Sequence, residues 1–370
     1  SDTRTSRAYK ARLGPIGVHI LATGPAADYV SKILTAQHFG VGHTESTVMT
    51  SPILGLAIAL AAFASVAVGE PSCTQTEVGH VRRVVCKHFM SSEDFAKYVK
   101  RGVGEDLTKK TWFKLEDSRL ERFPDRAFAD LNIYKLAFYN VSVMDFAQQG
   151  PTGNPFEGLE DTLREVVFHS GSTLPPSWSV FQGIHKLEEV CIDDYENLRL
   201  TTDFNKLPKT VKSIYVTKST VEHVDPDWLT SLENLEALVL RKTSLKVFSR
   251  RWLPTPAPNF FLLDLPDNQL EAFPEGLADD LPRLSVVNLQ RNKLTTVDEK
   301  AVAPLKDKTV FVNFADNPMH CDCRLRFLLT YTHRWHYFLC RTPQSLFDRY
   351  FLRLTEEDLQ CSATAPLSSA

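Results

Sequence analysis

The amino-acid sequence predicts an α/β solenoid, a curved horseshoe of about nine short parallel strands with a disulfide-stapled cap at each end. Three observations support this fold class. The middle of the chain repeats one apolar pattern at a nearly constant spacing. Two cysteines precede that repeat region and four follow it, so covalent links are concentrated at its two ends. The composition, with 43% hydrophobic residues and a formal net charge of -3, is that of an ordinary soluble protein and favours neither disorder nor nucleic-acid binding.

The repeat is clearest between Leu235 and Leu294, where an apolar triplet with spacings of three and two recurs three times. We take the last apolar residue of each triplet as a ruler residue. Successive ruler residues along the whole chain are separated by 23, 30, 24, 24, 24, 25, 24 and 25 residues. A period in the twenties with this internal pattern indicates stacked repeats, each contributing one short parallel strand. The ruler residues are Leu115, Phe138, Phe168, Ile192, Val216, Leu240, Leu265, Leu289 and Phe314.

This pattern resembles the leucine-rich-repeat family over residues 111–317. Polar residues follow each strand, and we expect their side chains to turn inward and satisfy backbone groups left free at the bend. The step of 30 residues predicts an insertion around 148–153, where glycine and proline indicate a loop. The inward-turning residues are predicted to be Asn268, Asn292 and Asn317, with Ser118, Ser219 and Thr243 in the same role elsewhere.

The first 69 residues are predicted to be absent from the mature protein. An apolar run of 16 residues, Ile53 to Val68, follows Met49, and small residues stand where signal peptidase reads the chain. We interpret residues 49–69 as a signal peptide and residues 1–48 as upstream sequence. A membrane anchor is the less favoured alternative, because a spanning helix needs about 20 apolar residues. Secretion places the cysteines in an oxidising compartment, where paired cysteines form disulfides.

Residues 70–110 are predicted to form the N-terminal cap, with Cys73 and Cys86 as its disulfide. The segment 81–85 favours a strand, and a short helix is expected to follow with Phe95, Tyr98 and Val99 on one face. A cap is needed because the first repeat would otherwise expose its apolar edge to water.

Residues 318–361 resemble the cysteine-rich C-terminal cap of Slit, Toll-type receptors and related extracellular proteins. The motif is Asn-Pro-Met-His-Cys-Asp-Cys from Asn317 to Cys323, with two further cysteines downstream. Four cysteines alone allow three pairings. The resemblance implies the pairs Cys321–Cys340 and Cys323–Cys361. Residues 362–370 are a short polar tail.

The predicted binding surface is the concave face of the sheet, formed by strand positions that alternate with the buried ones. Aromatic and arginine side chains dominate protein interfaces, and solenoids commonly bind through this surface. The alternative is an ordinary solvated strand surface with a few exposed apolar residues. The candidate partner-binding residues are Trp112, Tyr139, His169, Asp193, Tyr215, Val239, Arg241, Leu262, Asp264 and Asn288.

Two single residues have possible covalent chemistry. Asn140 begins the sequon Asn-Val-Ser and is a predicted N-glycosylation site. Cys191 is the seventh cysteine and falls on the concave face. It could form an intermolecular disulfide, but we favour a small neutral side chain that happens to be a thiol.

No catalytic residues, metal ligands or cofactors are predicted. The pair His333 and His336 has no third ligand nearby in sequence, and no acid, base and nucleophile occur at usable spacing. Basic residues gather between His80 and Lys114, with 9 basic against 4 acidic. An anionic glycan is therefore a possible partner, although a solvated face is the simpler interpretation.

The sequence thus predicts a secreted, extracellular leucine-rich-repeat protein that binds another extracellular protein through its concave face. Neither nucleic-acid binding nor stable membrane insertion is expected. Two alternatives stay open. The chain could be the ectodomain of a truncated receptor, or a non-catalytic accessory subunit of a secreted enzyme, since its layout is similar to the leucine-rich non-catalytic subunit of a shrimp luciferase.

Overall fold

The computed structural model describes residues 69–99, 108–129, 131–146 and 153–361. Residues 1–48, the predicted signal peptide except Gly69, most of the predicted insertion loop and the tail therefore lie outside the described residues. From Glu70 onward the described residues belong to one compact unit. No helix in these ranges combines the length and the apolar character needed to cross a membrane.

Eleven strands form one sheet in the described part of the chain, in the order β1-β2-β3-β4-β5-β6-β8-β10-β11-β12-β13. Nine of them, from β3 onward, are the predicted repeat strands, and neighbours among them are parallel. The predicted parallel-strand solenoid is therefore confirmed. The strands are β1 (Ser72–Val78), β2 (Val81–Lys87), β3 (Lys110–Arg122), β4 (Ile133–Asp145), β5 (Glu165–His169), β6 (Glu189–Asp193), β7 (Leu198–Leu200), β8 (Ser213–Thr217), β9 (Val221–Val224), β10 (Ala237–Arg241), β11 (Leu262–Asp264), β12 (Val286–Asn288) and β13 (Phe311–Asn313), with β7 and β9 paired separately.

The ruler residues stack on one another through the whole sheet. Leu115 lies beside Phe138, Phe138 beside Phe168, and the register continues in the same way to Leu240. The last three ruler residues directly follow β11, β12 and β13. All nine are buried, so each repeat covers the apolar edge of the next one.

Inward-turned asparagines close the bend after the later strands. Asn292 Nδ2 donates to the carbonyl oxygens of Leu265 (2.9 Å) and Leu289 (3.0 Å), and its Oδ1 accepts from the backbone N–H of Leu270 at 3.0 Å. Asn268 and Asn317 make the same set of bonds one repeat away. These side chains satisfy backbone groups of two adjacent repeats at once.

The side of the solenoid opposite the sheet is built from short helical turns and aromatic side chains. The rings of Phe128, Phe156 and Phe181 are stacked in succession, at centroid distances of 6.1 and 4.5 Å. Repeats of about 24 residues leave room for only a brief helix between strands. In the described part of the chain, the helices are one π-helical turn (Phe95–Val99), one α-helix (Glu299–Val302) and 3-10 helices at Trp178–Phe181, Thr202–Lys206, Arg250–Trp252, Ala303–Leu305, Cys323–Thr330, His333–Trp335, Gln344–Leu346 and Phe351–Arg353.

The N-terminal cap is a β-hairpin that extends the sheet. Strand β2 pairs with β3 in parallel, while β1 pairs with β2 in antiparallel. Cys86 takes the ruler position of β2, beside Leu115, and is bonded to Cys73 on β1. The π-helical turn then places Phe95 and Val99 in the core.

The C-terminal cap is held by the disulfides Cys321–Cys340 and Cys323–Cys361. Trp335 is buried against the last repeat, where its Nε1 donates to the carbonyl oxygen of Val310 at 3.0 Å. The apolar edge of the final strand is thereby covered, and the predicted disulfide-stapled caps are present at both ends.

Candidate functional site

The concave face is the side of the sheet opposite the ruler residues, and the side chains at alternate strand positions form three rows across it. All ten candidate partner-binding residues lie in these rows. They differ in exposure. Trp112, Tyr139, His169, Asp193 and Tyr215, on β3 to β8, are half-buried, and Arg241 is exposed. Val239, Leu262, Asp264 and Asn288, on β10 to β12, are at most 4% exposed.

Cations and aromatic rings alternate at the N-terminal end of this face. The Arg83 guanidinium lies 4.6 Å from the centroid of the Trp112 ring, and Lys135 Nζ lies 5.1 Å from that ring. Lys114 Nζ lies 3.8 Å from the ring of Tyr139, which stands in the neighbouring row, opposite Glu116. Contacts of this kind are attractive and hold both partners in place. We call this part of the concave face, on β2 to β4, the cation–aromatic region. Its defining residues are Arg83, Trp112, Lys114, Lys135 and Tyr139.

One carboxylate is shared by two lysines in the same region. Glu116 pairs with Lys87 at 2.5 Å and also with Lys114. Burial opposes the ionisation of Glu116, but the hydrogen bonds from the two lysines outweigh burial and lower the pKa of this carboxyl group. One negative charge therefore faces two positive ones, and the region retains a positive balance.

A stacked pair leads from the cation–aromatic region to the acidic side chains. The rings of Tyr139 and His169 are 4.6 Å apart. His169 Nε2 lies 3.0 Å from Asp193 Oδ2, and the same carboxylate accepts hydrogen bonds from Thr217 and Lys218. A chain of side-chain contacts therefore runs without a break from Lys114 on β3 to Thr217 on β8.

Two carboxylates face each other on adjacent strands in the middle of the face. Glu165 and Glu189 are register partners on β5 and β6, and Glu165 is held by Lys135 at 2.5 Å. Burial, followed by the charge of Glu165, raises the pKa of Glu189. Like charges directly opposite each other are unfavourable. Lys135 balances one of the two carboxylates, and the other negative charge is left without a nearby ion pair among the described residues. We call Glu165, Glu189, Cys191 and Tyr215 the acidic cup.

The two remaining groups of the acidic cup stay protonated at neutral pH. Burial, and then the charges of Glu165 and Glu189, raise the pKa of the Cys191 thiol. Burial and the charge of Glu189 raise the pKa of Tyr215 to about 12. Ligand atoms of Glu165, Glu189 and Cys191 lie within 4.8 Å of one another. The cup is thus chemically suited to a cation, a possibility that sequence reasoning did not raise.

The C-terminal half of the face contains a closed polar network. Asp264 accepts from Arg241 Nη2 at 2.8 Å and from Asn288 Nδ2 at 2.6 Å. The buried Asp264 carboxylate therefore has its hydrogen-bond donors within the protein. These residues lie where the sequence predicted, but most of their polar atoms are engaged with one another.

Asn140 and Cys191 are both positioned by the repeat stack. Asn140 is exposed at φ +54°, and its Nδ2 donates to Asp117 at 2.9 Å. Its glycosylation stays a prediction. Cys191 is unpaired and half-buried, with its Sγ 4.0 Å from Glu165 Oε1.

His333 and His336 of the C-terminal cap, the pair considered as metal ligands, pack against each other. His336 is buried and its Nε2 contacts the Leu328 carbonyl oxygen at 2.7 Å. Burial lowers the pKa of His336. The rings of His333 and His336 meet edge to face at 5.4 Å, which is a packing contact.

Sequence reasoning missed four residues of the concave face, namely Arg83, Lys87, Glu116 and Lys135. Glu116 and Lys135 follow from the alternation along β3 and β4. Arg83 and Lys87 follow once β2 is included in the sheet, because Arg83 is the register partner of Trp112 and Lys87 that of Glu116. The cap assignment of the segment 81–85 hides these last two residues.

Comparisons with known proteins point to repeat proteins. No family model matches the sequence. The chain is 29% identical over 150 residues to human leucine-rich repeat and fibronectin type III domain-containing protein 1, which is 39% of this chain and 18% of that protein. It is 27% identical over 150 residues to mouse Toll-like receptor 9, covering 40% of this chain and 14% of the receptor. The matches thus span less than a fifth of these relatives.

Among solved structures, human trophoblast glycoprotein (Wnt-activated inhibitory factor 1) aligns with a TM-score of 0.47 and 16% identity. The alignment covers 78% of this chain and 97% of that one.

Proposed function

We propose that this chain, a leucine-rich-repeat solenoid with a disulfide-bonded cap at each end, is an extracellular protein that binds another extracellular protein. The proposed binding surface is the concave face from β2 to β8. The proposal includes no catalytic role for the isolated chain.

The observation that carries this proposal is the unbroken chain of side-chain contacts through Lys114, Tyr139, His169 and Asp193. Aromatic rings and charged groups in this chain of contacts are fixed by one another and remain partly open to solvent. Such prearranged aromatic and charged side chains lose little conformational entropy when a partner binds. Val239 and Leu262 contribute less in this proposal, because they are almost fully buried.

Affinity capture with the secreted chain, followed by mass spectrometry, tests the proposal. The chain is compared with a double variant, Tyr139→Ala with Tyr215→Ala. The matched control is Tyr350→Ala, which removes a 45% exposed tyrosine from the C-terminal cap. We expect the double variant to lose the specifically captured protein and the control to retain it. Equal capture by all three proteins would reject the concave face.

A second candidate is the extracellular part of a membrane receptor, favoured by the similarity to Toll-like receptor 9. Both candidates use the same binding surface and differ in what the gene encodes beyond this chain. Sequencing the complete transcript distinguishes them. A membrane-spanning segment after the C-terminal cap would select the receptor.

A further inference from the structure

Charge is divided along the proposed binding surface. The concave positions of β2 to β4 carry four cations, Arg83, Lys87, Lys114 and Lys135, and one carboxylate, Glu116. The concave positions of β5 and β6 carry three carboxylates, Glu165, Glu189 and Asp193, and no lysine or arginine. The balance changes from positive to negative between adjacent strands of one sheet.

Hydrogen-bond donors are unused in the positive part. Arg83 Nε and Trp112 Nε1 are both buried and lack an acceptor within the described residues. Buried donors of this kind normally have a partner, because an unmade hydrogen bond is costly. Both groups lie in the cation–aromatic region, whose lysine and arginine side chains supply positive charge to a carboxylate placed over it.

Acceptors are unused in the negative part. The Glu189 carboxylate has no hydrogen bond or ion pair to any described residue, and it faces Glu165, whose one cation is Lys135. Burial and this neighbour disfavour its charge. A guanidinium or ammonium group placed in the acidic cup would pair with the Glu189 carboxylate and, together with Lys135, balance the two opposed carboxylates.

We infer that the partner presents a segment with acidic side chains at one end and a basic side chain at the other. The acidic end lies over the cation–aromatic region, and the basic side chain enters the acidic cup. This inference rests on the proposed function and specifies the chemistry of the partner.

The sheet geometry sets the distance between the two charges. Neighbouring strands are about 4.8 Å apart, so β3 is about 12 Å from the midpoint between β5 and β6. An extended segment crossing the strands advances about 3.3 Å per residue. Acidic and basic groups in the partner are therefore separated by roughly four residues.

Four synthetic peptides test this arrangement by fluorescence anisotropy with the full secreted chain. The block peptide has two glutamates, a Gly-Ser spacer and two arginines. The others have glutamates alone, arginines alone, or the same composition with the charges alternating. Each is presented on streptavidin, because multivalent presentation makes weak binding measurable.

We expect the block peptide to bind about tenfold more tightly than each of the other three, the value of one well-formed charged hydrogen bond. In the Arg83→Gln variant, the block peptide should bind no more tightly than the arginine peptide. In the Glu189→Gln variant, the block peptide should bind no more tightly than the glutamate peptide. Glu233→Gln is the control, since Glu233 pairs with Lys209 outside the concave face, and it should leave all four affinities unchanged.

Three results would overturn the inference. Equal affinity for the block and alternating peptides would show that the charge division has no role. Preferential binding of the glutamate peptide, unchanged by Glu189→Gln, would indicate a general anion surface. Displacement of the block peptide by ZnCl2 from the unchanged chain but not from Cys191→Ser would assign the acidic cup to a metal ion.

These results are separable from a failure of the proposed function. If the double tyrosine variant loses its captured protein while the block peptide shows no advantage, the concave face binds a partner of other chemistry. If capture is also unaffected, the binding surface itself is wrong.

Discussion

The ring of Tyr139 lies nearly parallel to the ring of His169, with a centroid distance of 4.6 Å and an angle of 17° between the planes. These residues are 30 positions apart in sequence and occupy neighbouring strands. The contact exists because the insertion between their repeats leaves the strand register intact, with Phe138 beside Phe168. A continuous aromatic and charged row follows from that preserved register.

Tyr139→Ala is expected to weaken binding of the captured partner by about 2 kcal/mol, the usual effect of removing an interface aromatic anchor. Tyr139→Phe keeps the ring and its stacking, and should stay within a few-fold of the unchanged chain. Biolayer interferometry measures both affinities. Unfolding midpoints from circular dichroism provide the control, and an alanine variant that binds normally would contradict the role of this row.

Asn292→Ala is expected to destabilise the repeat stack by about 3 kcal/mol. The substitution leaves the carbonyl groups of Leu265 and Leu289 and the N–H of Leu270 without their buried partner. Urea unfolding followed by tryptophan fluorescence measures the change. Asn259→Ala removes an asparagine whose side chain meets Arg283 at the surface, and we expect it to change stability by less than about 0.5 kcal/mol.

Glu189→Gln is expected to increase stability at pH 7. Burial and Glu165 raise the pKa of this carboxyl group in the folded chain, so its ionisation disfavours the folded state above that pKa. Below the pKa of the unfolded chain, the carboxyl group is protonated in both states and the difference vanishes. Urea titrations at pH 7 and near pH 4 measure this change. If Glu189→Gln raised the free energy of unfolding by the same amount at both pH values, the cause would be packing and not ionisation.

Cys191 is expected to react slowly with iodoacetamide in the folded chain. Burial and the charges of Glu165 and Glu189 raise the pKa of its thiol, and only the thiolate is reactive. We expect alkylation at pH 8 to be at least about tenfold slower than in urea, since a rise of one pKa unit already reduces the thiolate fraction tenfold. Mass spectrometry of the Cys191 peptide follows the reaction. Fast labelling of the folded chain would contradict the assigned burial.

The positions of the buried residues could be predicted from the sequence because one-sided burial leaves a regular apolar pattern. All nine ruler residues, from Leu115 to Phe314, and the inward-turned Asn268, Asn292 and Asn317 were found in this way. The predicted concave residues also lie on the concave face, since side chains alternate along a strand.

The exposure of the concave residues could not be predicted in the same way. Tyr139 and Val239 both occupy outward positions in the alternation along their strands. Tyr139 is nevertheless half-buried, whereas Val239 is almost fully buried. Alternation gives the direction of a side chain, whereas exposure depends on its cross-strand neighbours. For the same reason, the pairing of Lys135 with Glu165 was not foreseen. The N-terminal hairpin was also missed, because the segment 81–85 alternates too weakly to identify a strand of the main sheet.

The antiparallel direction of β1 limits how this protein can evolve. A further repeat strand beyond β1, running in the direction of β2, would meet β1 in an antiparallel pairing and interrupt the parallel series. Gene duplication that keeps the repeat strands in one parallel series would therefore lengthen the array internally, between the hairpin and the cysteine-rich C-terminal cap. A copy inserted between the cation–aromatic region and the acidic cup would move these two regions apart and alter the choice of partner. A copy inserted elsewhere would leave their spacing, and with it the choice of partner, unchanged.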